Sequence, residues 1–397
     1  MRTVLPSSEK HPRSMDNTTQ PKPRLEFFAT CAPGLEPILH EEIKVLRFAR
    51  VERQVGGVRF EGTLRDAWRA NLELRTAVRV LQKVRRFEAR DADQLYSGVQ
   101  EVDWSAFLRP GGSLRVDAHS NESELGHTLF VEQKTKDAVC DQLREKHGDR
   151  PSVDLEDADL GIYVHLFRDR CTVLTDTSGD SLHKRGWRLH QGRAPLSETL
   201  AAALVLASGW DRRSPLLDPF CGSGTILIEA ALIAGNVAPG IFRRGFGFER
   251  WPGHDEAGWK ALLAEARQRV YFPSKLVLRG SDADRTILAE AGLNAASAGV
   301  AERIVFECAR AEDFAPKRGW NGWVVSNPPY GERIGDERAL EPLFMRFGSI
   351  LRDKCAGYHA SILSGNPKLT HAFGMTPKAK IALKNGAIDC ELLQFEL

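Results

Sequence analysis

Asp218-Pro-Phe-Cys-Gly-Ser-Gly-Thr225 is the stretch that decides the fold of this chain. It follows the short apolar run Leu216-Leu217 and leads into a strongly apolar stretch over residues 225–234. Such a sequence is typical of a buried strand, a glycine turn and a helix. Further strand patterns alternate with helical patterns downstream, at residues 275–282, 304–308, 323–326 and 358–363. The alternation predicts an α/β, doubly wound and mostly parallel sheet over residues 196–397, ending in an antiparallel hairpin around Asn385-Gly386.

The residues before this region have a different pattern. Thr63, followed by Asp66 three residues later, indicates a helix that begins with a capping box. Strand patterns at residues 25–30, 113–119, 161–167 and 171–176 mix with helical patterns at residues 35–46, 63–72 and 128–146. This order predicts an α+β region and not a series of βαβ units. The polar, glycine-containing strip that follows predicts a linker over residues 181–195.

Composition excludes several classes of protein. Hydrophobic residues make up 42% and charged residues 27%, as is ordinary for a soluble globular chain, and no apolar run approaches the ~20 residues that span a bilayer. Residues 1–24 contain four prolines and no apolar signal-peptide core, which predicts a disordered extension. Seven scattered cysteines without a Cys-x-x-Cys pair indicate reduced thiols in the cytoplasm and no metal site. The net charge of +2 does not by itself indicate a nucleic-acid-binding protein.

The glycine turn is predicted to bind a ligand, because ligands of open α/β sheets bind beyond the carboxyl ends of the strands. Its spacing is neither Gly-x-Gly-x-x-Gly nor Gly-Lys-Ser/Thr, which weakens the nicotinamide and nucleoside-triphosphate interpretations. Asp218 favours a ligand with a cationic end, such as the amino group or sulfonium of S-adenosylmethionine. Asp282, at the end of the next strand, is predicted to accept hydrogen bonds from ribose hydroxyls, and Glu312-Asp313 to accept from the adenine amine. The predicted cofactor contacts are Asp218, Pro219, Phe220, Gly222, Gly224, Thr225, Asp282 and Asp313.

Alternative roles remain open for some of these side chains. Asp282 or Asp284 alone could cap the following helix. Cys221 is interpreted as a small packed residue, because nothing near it in sequence would lower the pKa of its thiol.

Asn327-Pro-Pro-Tyr330 follows the strand pattern 323–326 and is predicted to hold a planar amine. The two prolines, Pro328 and Pro329, fix φ and remove two donors, so this loop offers acceptors. The side-chain oxygen of Asn327 and the carbonyl of Pro328 can each accept one hydrogen of an NH2 group, and Tyr330 can stack on the base. Together with the upstream turn, these four residues predict methyl transfer onto an exocyclic nitrogen, with no metal required.

At these motifs the chain resembles the bacterial THUMP-domain RNA methyltransferases, and in particular the group that methylates guanine N2 in large-subunit ribosomal RNA. The resemblance covers nearly everything from Leu25 to Leu397. Its most specific mark is Leu182-His-Lys-Arg-Gly-Trp-Arg188, with tryptophan at 187 where the family pattern leads us to expect tyrosine. The other marks are Phe28-Ala-Thr-Cys-Ala-Pro-Gly-Leu-Glu36, Asp176-Thr-Ser-Gly179, Ala194-Pro-Leu-Ser-Glu-Thr-Leu200, the glycine turn and Ser326-Asn-Pro-Pro-Tyr-Gly-Glu-Arg333.

The resemblance implies a ferredoxin-like domain at residues 25–80 and a THUMP RNA-binding domain at 81–180. It implies a Rossmann-like, seven-stranded methyltransferase domain at 196–397 that uses S-adenosylmethionine and releases S-adenosylhomocysteine. It also implies that Asn327 and Tyr330 handle the guanine amine. Some relatives carry a second methyltransferase domain, and since this chain stops after its final hairpin, one activity is expected.

Two basic segments are predicted to contact RNA. The first, beside the predicted cleft, interleaves a tryptophan with cations and comprises His183, Lys184, Arg185, Trp187 and Arg188, with Arg193 beyond it. The second holds Lys368, Lys378, Lys380 and Lys384, with no acidic residue between Gly365 and Ala387. The alternative for the first segment is a solvated linker.

These motifs are compatible with four functions. The leading one is methylation of a guanine N2 amine in large-subunit ribosomal RNA, and the closest alternative is the same chemistry on transfer RNA. A third is amino-methylation of DNA adenine or of a protein glutamine, against which the N-terminal α+β region and the basic linker argue. A fourth is a non-catalytic RNA-binding assembly factor. No membrane association is expected.

Overall fold

A computed structural model describes residues 24–190, 196–330 and 337–397 of the chain. Except for Arg24, the predicted disordered extension lies outside the described residues. The strands are β1 (Leu25–Thr30), β2 (Ala49–Gln54), β3 (Gly57–Gly62), β4 (Arg79–Glu88), β5 (Ser113–Asn121), β6 (Ser152–Val153), β7 (Leu160–Phe167), β8 (Arg170–Asp176), β9 (Leu216–Asp218), β10 (Leu278–Asp282), β11 (Ile304–Cys308), β12 (Trp323–Ser326), β13 (His359–Ser364), β14 (Ala379–Asn385) and β15 (Ile388–Glu396). The helices are α1 (Glu36–Val45), α2 (Leu64–Glu73), α3 (Ala92–Gln100), α4 (Thr128–His147), α5 (Glu198–Ala207), α6 (Thr225–Ala234), α7 (Glu256–Gln268), α8 (Arg285–Ser297), α9 (Glu337–Lys354) and α10 (Pro367–Ala372).

Two local sequence patterns explain the start of helix α2 and the burial of helix α6. The capping box is confirmed, since Thr63 and Asp66 exchange hydrogen bonds at the start of α2. Helix α6, which is apolar on every side in sequence, is buried on nearly every side, as expected of a helix inside a core. Among the described residues, no helix combines the length and the apolarity that crossing a bilayer requires.

The C-terminal sheet has the order β11-β10-β9-β12-β13-β15-β14. Strands β9 to β13 are mutually parallel, and β15 pairs antiparallel with β13 and β14. The predicted seven-stranded, Rossmann-like sheet is thus confirmed. Because the strand order reverses direction on either side of β9, the carboxyl ends of β9 and β12 mark the switch point at which such sheets bind ligands.

The N-terminal half forms one eight-stranded sheet in the order β2-β3-β1-β4-β8-β7-β5-β6. Strand β4 joins its two parts, because it pairs with β1 along one edge and with β8 along the other. The domain boundary predicted between residues 80 and 81 therefore falls inside a continuous strand. The sequence of β4 lacks the alternation typical of a strand, since its apolar residues stand at positions 80, 81, 84 and 87, and its pairing with β8 shifts register between Lys83 and Arg85.

The two halves pack closely against each other. Trp68 of α2 stacks on Phe248 at 5.5 Å between ring centroids, and Trp259 of α7 meets both rings edge-on. Phe248 and Trp259 belong to the segment between α6 and β10, so this insertion fills the interface between the halves. The described part of the segment predicted as a linker, residues 181–190, contributes three buried side chains, Leu182, Arg185 and Trp187, each about 1% exposed.

Candidate active site

The glycine turn and the proline loop meet at the switch point of the C-terminal sheet. Strands β9 and β12 are parallel neighbours, so their carboxyl ends lie at the same edge. The hydroxyl of Ser326, at the end of β12, donates to Asp218 Oδ1 at 2.5 Å. Both loops line one cavity of about 450 Å³. Its walls include all the predicted cofactor contacts except two, Gly224 and Asp313, and all four residues of the proline loop.

The glycines shape the turn in two different ways. Gly224 has φ +82°, and a Cβ there would lie 3.0 Å from the Phe306 ring, so this position needs glycine for both conformation and space. Gly222 has φ +51° and donates its N–H to Asp282 Oδ2 at 3.0 Å. The turn is therefore held by packing against Phe306 at Gly224 and by the hydrogen bond from Gly222 to Asp282 at the end of β10.

Two acceptors in this cavity lack a hydrogen-bond partner within the described residues. They are Asp218 Oδ2 and Asn327 Oδ1, both buried. Burial raises the pKa of Asp218 to about 7, even though Ser326 and the N–H of Phe220 donate to its other oxygen. Buried acceptors without partners are costly, and such atoms commonly mark the place of a ligand.

The acidic residues after β10 and β11 have different positions and partners. Asp282 receives the N–H groups of Gly222 and Asp284, while Asp284 caps α8 by accepting from Thr286. Glu312 lines the cavity, but the predicted contact Asp313 does not and is exposed. Of the predicted pair Glu312-Asp313, only Glu312 therefore lies at the cavity, and the contact predicted for Asp313 is not supported by its position. The two residues lie in a short 3₁₀ turn, in which successive side chains point ~120° apart.

Tyr330 is positioned by the terminal hairpin. Asn385, the last residue of β14, donates to the Tyr330 hydroxyl, and Gly365 leaves room for the ring, since a Cβ there would lie 2.9 Å from Tyr330 Cδ2. The loop between β14 and β15 consists of Gly386 and Ala387, one residue later than the predicted turn. The shift places Asn385 at the site. Residues 331–333 of the resembling motif lie outside the described residues.

Most of the predicted basic segment is internal. Arg185 pairs with Glu229 of α6 and donates to the carbonyls of Leu182 and Arg75, and Trp187 is buried. These burial values leave neither side chain any surface for a phosphate, so the predicted RNA contacts at Arg185 and Trp187 are corrected to packing between the halves.

Arg188 is also internal, and it connects the strip to the glycine turn. Its guanidinium donates to Glu198 at 2.7 Å, to the Leu196 carbonyl at 2.9 Å and to Thr225 Oγ1 at 3.1 Å. With its side chain only 6% exposed, Arg188 is likewise corrected from an RNA contact to a support for the turn.

We expect Arg188→Ala to destabilise the fold by about 3–5 kcal/mol, because it leaves the buried Glu198 without its partner. The control is Lys184→Ala, which removes an ion pair with Asp180 in which both side chains are 61% exposed, and which should cost less than about 1 kcal/mol. Urea unfolding followed by circular dichroism measures both. Equal effects of the two substitutions would contradict the supporting role of Arg188.

His183 and Lys184 do reach a surface. They line a second cavity, a cleft of about 930 Å³ between the two halves of the molecule. Leu196 lines both this cleft and the smaller cavity, so the two are adjacent. The cleft also contains Arg243 and Arg244, a charged pair that the sequence offers only as a weak candidate for RNA contact, and Arg115 and Arg250, which come from distant segments and share no pattern in the chain.

Comparison with known proteins decides the family. A family model described as the RMKL-like methyltransferase domain matches residues 185–394, more than half of the chain. This chain belongs to the RMKL-like methyltransferase family. Upstream of the methyltransferase domain, a THUMP domain matches residues 89–176 and an RlmL ferredoxin-like domain matches residues 26–81. The resemblance drawn from the motifs is therefore confirmed, while the exact domain boundaries stay predictions.

Individual relatives of this RMKL-like methyltransferase carry several names. A Methylococcus capsulatus protein named ribosomal RNA large subunit methyltransferase K/L is 44% identical over 94% of this chain and 51% of its own length. SMU.472, solved with SAH, has a TM-score of 0.86 and 32% identity, covering 94% of this chain and 98% of that one. A Listeria monocytogenes protein described as a predicted N6-adenine-specific DNA methylase has a TM-score of 0.85 and 33% identity, covering 94% and 96%. This chain spans about half the length of the curated relatives it matches.

Proposed function

We propose that this chain transfers a methyl group from S-adenosylmethionine to the exocyclic N2 amine of a guanosine in large-subunit ribosomal RNA. The observation that carries the proposal is the single cavity in which Asp218 Oδ2 and Asn327 Oδ1 lie buried without partners. Asp218 Oδ2 suits a cationic group of a ligand, and Asn327 Oδ1 suits an N–H donor. The names of the curated relatives support large-subunit ribosomal RNA as the substrate.

The cavity residues fit S-adenosylmethionine. Asp218 would hold its amino end, Asp282 its ribose hydroxyls and Glu312 its adenine amine, while Pro219, Phe220, Gly222 and Thr225 would enclose it. When bound, this cofactor supplies an electrophilic methyl group on a sulfonium. Its product, SAH, is the molecule bound in the related SMU.472 structure.

The proline loop would prepare the amine. Asn327 Oδ1 and the carbonyl of Pro328 would each accept one amine hydrogen, drawing the nitrogen lone pair out of conjugation with the ring. Tyr330, fixed by Asn385, would stack on the guanine and hold its plane. Pro329 keeps the loop rigid, because its ring fixes φ. The chemistry then depends on alignment and on complementary partial charges.

The contacts outside the cavity concern RNA. His183 and Lys184, at the cleft beside the cavity, are the members of the predicted basic segment that we still propose as RNA contacts. Phosphate contacts of this kind position the substrate without reading its sequence. The cytoplasmic location and the absence of a metal stay predictions.

Incubation with labelled S-adenosylmethionine and three nucleic acids tests the proposal. We expect label in protein-free large-subunit ribosomal RNA, and N2-methylguanosine after nuclease digestion. Label in transfer RNA alone would show that transfer RNA, and not ribosomal RNA, is the substrate. Label in none of the nucleic acids would favour the alternative of a non-catalytic assembly factor. DNA is the informative third substrate because the Listeria relative is described as a DNA methylase; N6-methyladenine there would contradict the proposal.

A further inference from the structure

One face of the N-terminal sheet carries a group of rings that the proposed function does not use. The rings are those of His119 on β5 and of Tyr163, His165 and Phe167 on β7, and we call them the ring platform. His119 and His165 are direct cross-strand partners, and their rings stack with centroids 5.7 Å apart and 11° between planes. His119, His165 and Phe167 are exposed, and Tyr163 is half-buried.

The opposite face of the same strands is the core. Ile162, Val164 and Leu166 alternate with the platform residues along β7 and are at most 2% exposed. Helix α4 contacts β5, and its buried residues belong to the same core cluster as Ile162, Val164 and Leu166. A sheet with one face open to solvent needs apolar side chains only on the face that packs on the core. Core packing therefore does not explain why rings occupy the solvent-facing side of these strands.

Cationic side chains surround the platform. Arg86 lies in the same cross-strand row as His165, linked to it through Thr172. The Arg168 guanidinium lies 4.9 Å from the centre of the Phe167 ring, and Arg115 donates to the Tyr163 hydroxyl at 3.3 Å. Asp117 and Glu88 are acidic side chains on the same face, and Arg168 forms an exposed ion pair with Glu122 at 2.7 Å, an interaction weak enough for a phosphate to compete with it. The mixture of flat rings and guanidinium groups complements bases and phosphates.

The platform leads to the candidate active site. Arg115 and Gly161, at the near end of β5 and β7, also line the 930 Å³ cleft between the halves. The cleft in turn reaches Leu196 at the wall of the smaller cavity. An RNA strand lying on the ring platform would therefore be able to continue through the cleft to the proline loop.

We propose that the ring platform binds a single-stranded RNA segment next to the methylated nucleotide, with its bases stacked on His119, His165 and Phe167 and its phosphates on Arg86 and Arg168. The proposal rests on the proposed RNA substrate. Unpaired RNA is the occupant that the features favour, because paired bases would hide the faces that the rings can stack on. Partial desolvation by neighbouring groups, together with His119 and Arg86, lowers the pKa of His165, which favours the neutral form of this ring.

The test uses the full chain and a fluorescein-labelled, unstructured 12-nucleotide RNA, with fluorescence anisotropy as the readout. The variant is His119→Ala/His165→Ala/Phe167→Ala. The matched control is Leu129→Ala, which removes another exposed apolar side chain, 61% exposed, from α4 on the far side of the sheet. We expect the triple variant to bind at least about tenfold more weakly, and the control to bind within about twofold of the original chain. A hairpin RNA of equal length should bind the platform less well.

Three outcomes would overturn the proposal. They are unchanged RNA affinity in the triple variant, equal affinity for the hairpin, and a dimer of the original chain that the triple variant no longer forms. Thermal unfolding confirms that the variants fold. The two proposals fail separately: an original chain that methylates no RNA contradicts the proposed function, whereas an active chain whose triple variant methylates limiting RNA equally fast contradicts the platform alone.

Discussion

Asn327→Ala should lower the rate of methyl transfer by about 10²–10³-fold, which is the usual effect of removing one aligned polar group from a reacting centre. Its side-chain oxygen is buried at the cavity wall without a partner among the described residues. It is therefore available to accept from the amine. Single-turnover assays with saturating cofactor measure the effect.

Cofactor affinity in Asn327→Ala, measured by calorimetry, should stay within a few-fold of the original value. Asn327→Asp provides the comparison, because it keeps an acceptor at the same place and should lose less activity than alanine. If cofactor affinity falls together with the rate, the proline loop serves the cofactor and not the amine.

Asp218→Asn should weaken cofactor binding by at least about 30-fold, since it removes the charge of a buried group proposed to face a cation. The substitution preserves the shape of the side chain and an acceptor for the Ser326 hydroxyl. Calorimetric titration with S-adenosylhomocysteine, which keeps the amino group, measures the loss. Ser326→Ala is the matched control, and it should weaken binding less because the carboxylate remains.

The pH dependence of binding provides a second measure of Asp218. Burial raises the pKa of this carboxyl to about 7 in the unliganded protein, so it is protonated and neutral below that pH. Cofactor affinity should therefore fall by up to about tenfold per unit as the pH drops from 7 to 5.5, and the profile of Asp218→Asn should be flat. The same raised pKa stabilises the unliganded fold at low pH, and this contribution is lost as the pH rises through 7. A flat profile in the original chain would contradict the charged role.

The site was predictable from sequence to the extent that it consists of continuous motifs. Asp218, the glycines and Asn327 lie within two short stretches, and the rule that ligands bind beyond the carboxyl ends of parallel strands brings them together. The sequence does not distinguish Glu312 from Asp313, because the direction of a side chain in a one-turn 3₁₀ segment cannot be read from the order of residues.

The predicted RNA contacts were less accurate because a charge in the sequence does not reveal its partner. Arg185 reads as a surface cation, yet its partner Glu229 lies on α6, 44 positions away, and both are buried. Lys378, Lys380 and Lys384 have no acidic residue near them in their own strand. Across the hairpin, however, they pair with Glu396, Glu391 and Asp389, which lowers the net positive charge of that edge.

The continuity of β4 has a consequence for how a target nucleotide would be chosen. Strand β4 pairs with β1 over residues 79–83 and with β8 over residues 81–88, so a hinge at residues 81–83 would break ladder hydrogen bonds on both edges. These pairings hold the ferredoxin-like and THUMP parts in one continuous sheet. On the proposed function, this shared sheet would set the distance between the RNA segment bound by the N-terminal half and the nucleotide held at the cavity.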